Sequence, residues 1–421
     1  MTSIPRPQRP APAELAVGAH RRVPHPVTVF LLALAVFMVQ GGFHFYTATL
    51  PLALNQGGVP DAAIGLIVGV SAIVQIPAAI VGGRLVDRFG GVRLLTAGGC
   101  AYLIGSAIIV LPLADPAVSL VPFVAARLFQ GVGLAVVLPS ALSLVPALMP
   151  PGGNPRGLSI VGAAQNLTIT LIPPLSLFMF NGSDIHGVAW GAIVAVIVGV
   201  GLFRAIGLRP TRPQSAAIRP RFGIAFRRSW AMPLLITITY VAHWGAVTAY
   251  LPVKAVGAGA DVGLYFAADG IAIFLMRLPT AWLAERISSR TLMVAGSVAT
   301  AVAIGMLLLP LTTPLLIVSG LLGGAAGGLV LSPVLFELSS RATDADRGSA
   351  FALYSGSLAG AISLGSIGGS PMVAAFGLSA ALVVGMALIG VATVLTLADK
   401  SLRGLVVGDA GGESGAQTTP A

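Results

Sequence analysis

The sequence predicts an all-α integral membrane protein of twelve transmembrane helices, arranged as two pseudo-symmetric six-helix halves. Composition, the length of the apolar runs and an internal repeat carry this expectation. Of 421 residues, 56% are hydrophobic and only 9% charged, with a mean hydropathy of +0.93, a balance foreign to a water-soluble domain. Crossing about 30 Å of hydrocarbon takes about 20 apolar residues in a helix. Twelve such runs tile the chain, at about 27–52, 62–81, 94–113, 118–148, 157–180, 187–203, 231–251, 262–283, 291–311, 314–339, 349–376 and 378–397. A transmembrane β-barrel would need short alternating segments instead.

The repeat relates the first six runs to the last six. Leu85-Val86-Asp87-Arg88 returns as Leu283-Ala284-Glu285-Arg286, and Gly65-Leu66 as Gly263-Leu264, both at a spacing of 198 residues. Leu50-Pro51 returns as Leu251-Pro252, and Arg156-Gly157 as Arg347-Gly348. Duplicated halves at 27–203 and 231–398 follow, joined by an Arg-rich linker at 204–230. The tails at 1–26 and 399–421 are rich in Pro, Gly, Ser and Thr, the composition of disordered segments.

The net charge of +10 is sorted by position. All Lys and Arg residues except Arg127, Lys254 and Arg277 fall in the tails, the linker or the loops on one side of the runs. The positive-inside rule then makes both termini and the linker cytoplasmic, in a multi-pass protein of the plasma (inner) membrane. Basicity is thus a topology signal with attraction to anionic lipid heads, and no nucleic acid is expected as a partner. The polar, Pro-rich stretch before the first run, and the length of that run, argue against a cleaved signal peptide. A single cysteine, Cys100, excludes an intramolecular disulfide and a Cys-based metal cluster; it is expected in the core.

Two blocks carry sharper information. Gly83-Arg84-Leu85-Val86-Asp87-Arg88-Phe89-Gly90-Gly91-Val92-Arg93 follows the second run, and Arg127-Leu128-Phe129-Gln130-Gly131-Val132-Gly133 lies inside the fourth. In the first, Gly83 permits close packing and Gly90-Gly91 suit a tight turn, with Asp87 flanked by Arg88 and Arg93. In the second, an arginine deep in a membrane span needs a wet cavity or a partner, such as carbonyls of the first span, while Gly131 and Gly133 let a neighbouring backbone approach. Together the blocks resemble the major facilitator superfamily, the first its signature loop between transmembrane helices 2 and 3, the second its helix-4 arginine motif. The resemblance implies alternating access, with Asp87 against the N-terminus of the eleventh span near Gly348, where the helix dipole favours an anion and latches the cytoplasmic gate. Glu285 and Arg286 form the second-half copy of that latch, weakened where Ser288-Ser289 replace the glycine turn. The resemblance also assigns proton coupling to Arg127.

Acids are scarce within the spans. Asp269 alone sits well inside one, and an intramembrane carboxylate is by default a functional candidate; its structural alternative is pairing with Tyr or His donors of the seventh span. Glu337 lies near the cytoplasmic end of the tenth span, and Arg277 snorkels toward the same side from the eighth. His44 and His243 occupy near-equivalent depths in the two halves and join Arg127 and Asp269 as the proton-coupling set. Gln40, Phe43, Tyr46, Gln75, Asn166, Tyr240, Trp244 and Tyr354 are the substrate-cavity candidates, able to stack on or hydrogen-bond an organic solute. Trp190, Trp230 and Trp282 stand at run ends as interfacial anchors. Gly356 and Gly360 in the eleventh run are read as packing glycines.

Many drug-proton antiporters of the superfamily carry Gly-Pro-x-x-Gly-Gly in helix 5, whereas this chain has Leu171-Ile172-Pro173-Pro174-Leu175-Ser176. The prolines remain and the glycines do not, so export rests on Arg127 and the neutral, aromatic cavity candidates. The sequence reading is a secondary transporter that exports a small organic, drug- or metabolite-like compound with protons as the coupling ion, a monomer in the lipid bilayer, with no cofactor, no metal and no catalytic residues. Import of a small organic acid or sugar is the alternative, and a non-transporting sensor a remoter one. An intramembrane protease built on Ser71 and His243 rests on a chance pattern, and no Walker loop, Rossmann fingerprint or zinc-protease motif occurs.

Overall fold

The computed structural model describes residues 26–111, 114–149, 154–206, 226–284, 286–342, 347–399 and 402. The tails and most of the linker lie outside these residues. Among them there is no strand. Thirteen α-helices follow in order: α1 (Pro26–His44), α2 (Tyr46–Gln56), α3 (Asp61–Phe89), α4 (Gly91–Val110), α5 (Val121–Leu148), α6 (Asn154–Gly182), α7 (Ile185–Ala205), α8 (Ala231–Gly257), α9 (Val262–Ala284), α10 (Ser289–Met306), α11 (Thr313–Ser340), α12 (Arg347–Phe376) and α13 (Leu378–Ala398). α1 and α2 form one rod interrupted at Phe45. Among the described residues, eleven helices are long and apolar enough to cross a membrane, while the apolar stretch of α9 covers Val262–Met276.

The main departure from the sequence expectation is at the signature block. α3 runs to Phe89 instead of stopping near residue 81, so most of the block expected as a loop is helix. Gly90, at φ 83°, reverses the chain in one residue, a conformation open to glycine without strain. Gly91 is not part of the turn. It opens α4, where an added Cβ would stand 2.7 Å from the Ser140 carbonyl of α5, so its role is close packing. In the second half the matching reversal uses Ser288 at φ −59°, capping α10 as its hydroxyl accepts from the Thr291 amide. α4 ends at Val110, short of the expected residue 113.

The halves reuse one packing scheme. Gly98 on α4 sits against Val136 and Val137 of α5, and Gly296 on α10 sits against Val330 and Ala326 of α11. A Cβ on Gly131 would stand 3.1 Å from Ser71 Cα, and one on Gly324 2.9 Å from Asp269 Cα. Gly245 and Gly365 bring α8 and α12 into backbone contact. Gly356 and Gly360, by contrast, are not close-packing sites: a Cβ there would meet Ile76 at 4.0 and 3.7 Å, ordinary van der Waals distances. The tight crossing of α12 is displaced to Gly365, nearer its end. Cys100 is exposed on the outer surface of α4 and not in the core. Trp230 is no interfacial anchor either. It is fully buried with Leu234, Leu338, Ala342 and Ala350, and its indole N–H donates to the Arg341 carbonyl. Trp190 and Trp282 are exposed.

Candidate transport site and gate

In the first half the chemistry gathers around Arg127, seven residues into α5 and 4% exposed. Its NH2 donates to the Val68 carbonyl at 2.9 Å and to Ser71 Oγ at 2.8 Å, and its NH1 to Gln130 Oε1 at 2.9 Å. The carbonyl partner therefore belongs to α3 and not to the first span. The Phe43 ring lies under the guanidinium at 4.5 Å, a cation–π contact that partly offsets desolvation. Behind it, Tyr102 donates to Gln40 Oε1 at 2.8 Å, tying α4 to α1. His44 stands edge-on to Phe43, its Nδ1 3.4 Å from Thr47 Oγ1.

The second half centres on Asp269, eight residues into α9 and 4% exposed. Gly320 and Gly324 of α11 press on its backbone, and a Cβ on Gly323 would lie 3.6 Å from Oδ1. Its Oδ2 has no hydrogen-bond partner. The pairing with Tyr or His donors is absent because those groups are engaged elsewhere. Tyr240 donates to Thr300 Oγ1 at 2.8 Å while Thr300 donates to the Gly296 carbonyl, and His243 Nδ1–H donates to the Tyr240 carbonyl.

The fold thus brings Gln40, Phe43, His44, Tyr46 and Arg127 together in one half, and places Tyr240 and His243 beside the helix pair that holds Asp269 in the other. Gln40, Tyr46 and Tyr240 are sealed in helix packing at 0–2% exposure, so they do not line an open cavity. Phe43, His44, Gln75, Asn166, His243, Trp244 and Tyr354 are half-buried. Asn166 donates to the Gly162 carbonyl of its own helix, and Trp244 stacks edge-on against Phe266. Sequence reasoning missed Tyr102, Thr300 and Gln130, and took Ser71 only as part of a chance pattern. The signal was available: Tyr102 and Thr300, like Ser71 and Asp269, are separated by the same 198 residues as the repeat.

The two halves meet at the end of the bundle away from the first and last helix termini. Among the described residues, two hydrogen bonds cross between halves: Ser370 Oγ to the Ala62 carbonyl at 2.7 Å, and Ser363 Oγ to the Gly69 carbonyl at 3.2 Å. Gly65 makes room for the Tyr250 hydroxyl, which donates to the Ser366 carbonyl at 2.6 Å. Gly270 of α9 similarly admits Thr170 of α6. At the opposite end, Arg341 bridges Glu337 at 3.2 Å and Asp399 at 3.4 Å and donates to the Ser229 carbonyl. Of the latch candidates, the side chains of Gly83, Asp87 and Glu285, with Gly348 opposite, lie outside the described residues, as does that of Arg277. Arg88 and Arg93 are exposed, Arg88 over the Phe89 ring, and Arg286 covers the Trp282 ring at 4.1 Å.

Comparison with known proteins decides the family. The Major Facilitator Superfamily profile matches residues 32–260 and 253–408. The chain belongs to the major facilitator superfamily. Solved transporters of this fold superpose on it: a peptide transporter POT in complex with sulfate, at a TM-score of 0.73 and 16% identity over 89% of this chain and 93% of that one, and a POT family transporter in complex with 5-aminolevulinic acid, at 0.72 and 15% over 89% and 95%. At that identity they establish the fold alone. Among curated proteins, a probable actinorhodin transporter of Streptomyces coelicolor is 30% identical over 143 residues, 32% of this chain and 24% of that protein. The drug efflux pump JefA of Mycobacterium tuberculosis is 27% identical over 180 residues, 42% of this chain and 33% of that protein. The match therefore spans a third or less of either relative. As a major facilitator protein the chain is a multi-pass membrane transporter and not an enzyme.

Proposed function

We propose that this transporter exports a small, moderately lipophilic organic compound in exchange for protons, with Asp269 carrying the proton. The carrying observation is that carboxylate: deep in a membrane span, buried, and with one oxygen lacking a partner. A buried carboxylate without a cation is expensive as an anion and cheap as a neutral acid. Its occupancy by a proton therefore couples readily to movement of α9 against the glycines of α11. Export is supported by a curated relative named as a drug efflux pump, beside another named as a probable actinorhodin transporter, and by half-buried aromatic groups such as Phe43, Trp244 and Tyr354. Arg88, Arg93, Arg156, Arg204, Arg286, Arg290 and Arg341 stand at the end bearing the termini, which supports a cytoplasmic placement of that end in the plasma membrane. In that orientation the seal around Gly65, Tyr250 and Ser370 faces outward and the conformation is inward-facing. Asp87, at the inner end of α3, then latches the inner gate in the opposite state.

Flux of a lipophilic test compound into proteoliposomes tests the coupling. An imposed pH gradient should accelerate transport by the wild type. Asp269→Asn should abolish the acceleration while exchange at equal pH on both sides continues. A gradient response of undiminished size in the variant overturns the assignment of Asp269.

A further inference from the structure

We propose that the cluster of buried polar groups around Arg127, drawn from α1, α2, α3, α4 and α5, binds one small monovalent anion as the counterion of the guanidinium. The inference is independent of what is transported and of the role given to Asp269. Among the described residues, no carboxylate lies within ion-pair distance of Arg127; its partners are a carbonyl, a hydroxyl and an amide oxygen. Buried charges in proteins are paired, because an isolated ion in low dielectric is too costly. Three hydrogen bonds to neutral acceptors satisfy directions without cancelling the charge.

The chemistry of the surrounding orphans has one sign. Three buried donors here lack a protein partner, Arg127 Nε, Gln40 Nε2 and Gln130 Nε2, and Tyr46 OH and Ser106 Oγ, with no partner outside their own pair, stand close enough to share one hydrogen bond. The two amides are oriented by their oxygens, since Gln130 Oε1 accepts from Arg127 and Gln40 Oε1 accepts from Tyr102. Their acceptors are consumed and their N–H groups remain. Arg127 Nε is likewise a donor only, and both hydroxyls can donate. The side chains come from four helices: Tyr46 of α2 stands beside Ser106 of α4, Gln40 of α1 is held by Tyr102, and Gln130 of α5 is bonded to Arg127. Gln130 packs beside Gly105, next to Ser106. A water molecule would accept at most two of these donors, would bring two more and would leave the cation unpaired. An anion can accept from several donors at once, brings none of its own, and cancels the charge. Phe43, at 4.5 Å across the guanidinium, covers the group from the other side.

A halide and the carboxylate of a transported solute share this chemistry, and the proposal commits to the free halide. The purified full-length protein is unfolded thermally in chloride or in gluconate, at constant pH and ionic strength. Chloride should raise the midpoint saturably, bromide should do the same, and Arg127→Gln should remove the shift. Should Arg127→Gln not fold, Tyr46→Phe and Ser106→Ala each delete one donor and should weaken chloride about tenfold, the size of one hydrogen bond to a charged group. No chloride-specific shift in the wild type, or a full shift in Arg127→Gln or in both donor variants, overturns the site. A shift with acetate and none with chloride assigns the pocket to a solute carboxylate and overturns the halide.

Discussion

The two halves place helices in the same way and charges differently. Ser71 on α3 and Asp269 on α9 are equivalent by the 198-residue repeat. The glycines that press on them, Gly131 and Gly324, are 193 residues apart, as are Arg127 and Gly320. In the first half a cation projects from the fourth span against a neutral serine of the second. In the second half an anion projects from the second span against glycines of the fourth. The packing is a property of the duplicated scaffold, set by small residues at helix crossings. Ionisation is a property of each half alone: at this crossing one half carries a cation and the other an anion. The asymmetry therefore marks where coupling chemistry is placed, while the symmetry marks what allows the halves to rock.

The largest expected effects break the symmetric part. Gly131→Val and Gly324→Val each drive a branched side chain into backbone of the neighbouring helix, with no rotamer that avoids it. Overpacking of this kind costs about 1–3 kcal/mol or more, so both variants should lose most folded protein in size-exclusion profiles and melt lower. Gly356→Val and Gly360→Val, with only Ile76 nearby, should be tolerated. If one of the first pair is as benign as the second pair, the halves do not share their packing.

An intermediate effect sharpens the asymmetric part. Ser71 Oγ lies 2.8 Å from an Arg127 nitrogen, so Ser71→Asp gives the first half the carboxylate that the second half has at this position. The new charge-assisted contact is worth about 1.5–3 kcal/mol, and a covalently attached counterion replaces a diffusible one. In gluconate the variant should melt above the wild type, and its response to chloride should vanish. A variant that melts lower and still responds to chloride would mean that Arg127 and Ser71 are not paired in the folded protein.

Much of the fold was legible because a bilayer leaves few options. Helix-length apolar runs, basic loops and the Gly65/Gly263 and Arg88/Arg286 repeats locate most span ends within a few residues, with the ends of α3 and α8 the exceptions. Arg127 and Asp269 were legible for the same reason, since a charge within a span stands out against its cost. What the sequence hid is which way a side chain faces. Trp230 and Cys100 have the same local context as residues of opposite fate, and only packing of distant helices buries one and exposes the other. The glycines of α12 show the same limit. Six occur along this one helix, but the crossing point with α8 selects Gly365 and leaves Gly356 and Gly360 in ordinary contact. The signature block misled for a further reason: its glycines suggested a loop, whereas Gly90 alone makes the reversal and α3 stays helical up to it.

The smallest expected effect tests how far the symmetry extends into the hydrogen bonds. Each half ties its first span to its third through one aromatic hydroxyl. Tyr102 on α4 donates to Gln40 on α1, and Tyr240 on α8 donates to Thr300 on α10. The positions correspond at spacings of 198 and 200 residues, with the tyrosine on opposite partners. Removing a hydroxyl costs about 0.5–1.5 kcal/mol when its partner can be satisfied elsewhere, and more when a buried group is left unpaired. Thr300 keeps its own bond to the Gly296 carbonyl, so Tyr240→Phe belongs to the first case. Gln40 is fully buried and its Nε2 already lacks a protein partner, so Tyr102→Phe strips the remaining hydrogen bond of its amide and belongs to the second. Both variants should fold, with Tyr102→Phe lowering the melting midpoint further than Tyr240→Phe. The reverse order would show that the Gln40 amide is not held by Tyr102, and would remove the contact that leaves its Nε2 as the unpartnered end.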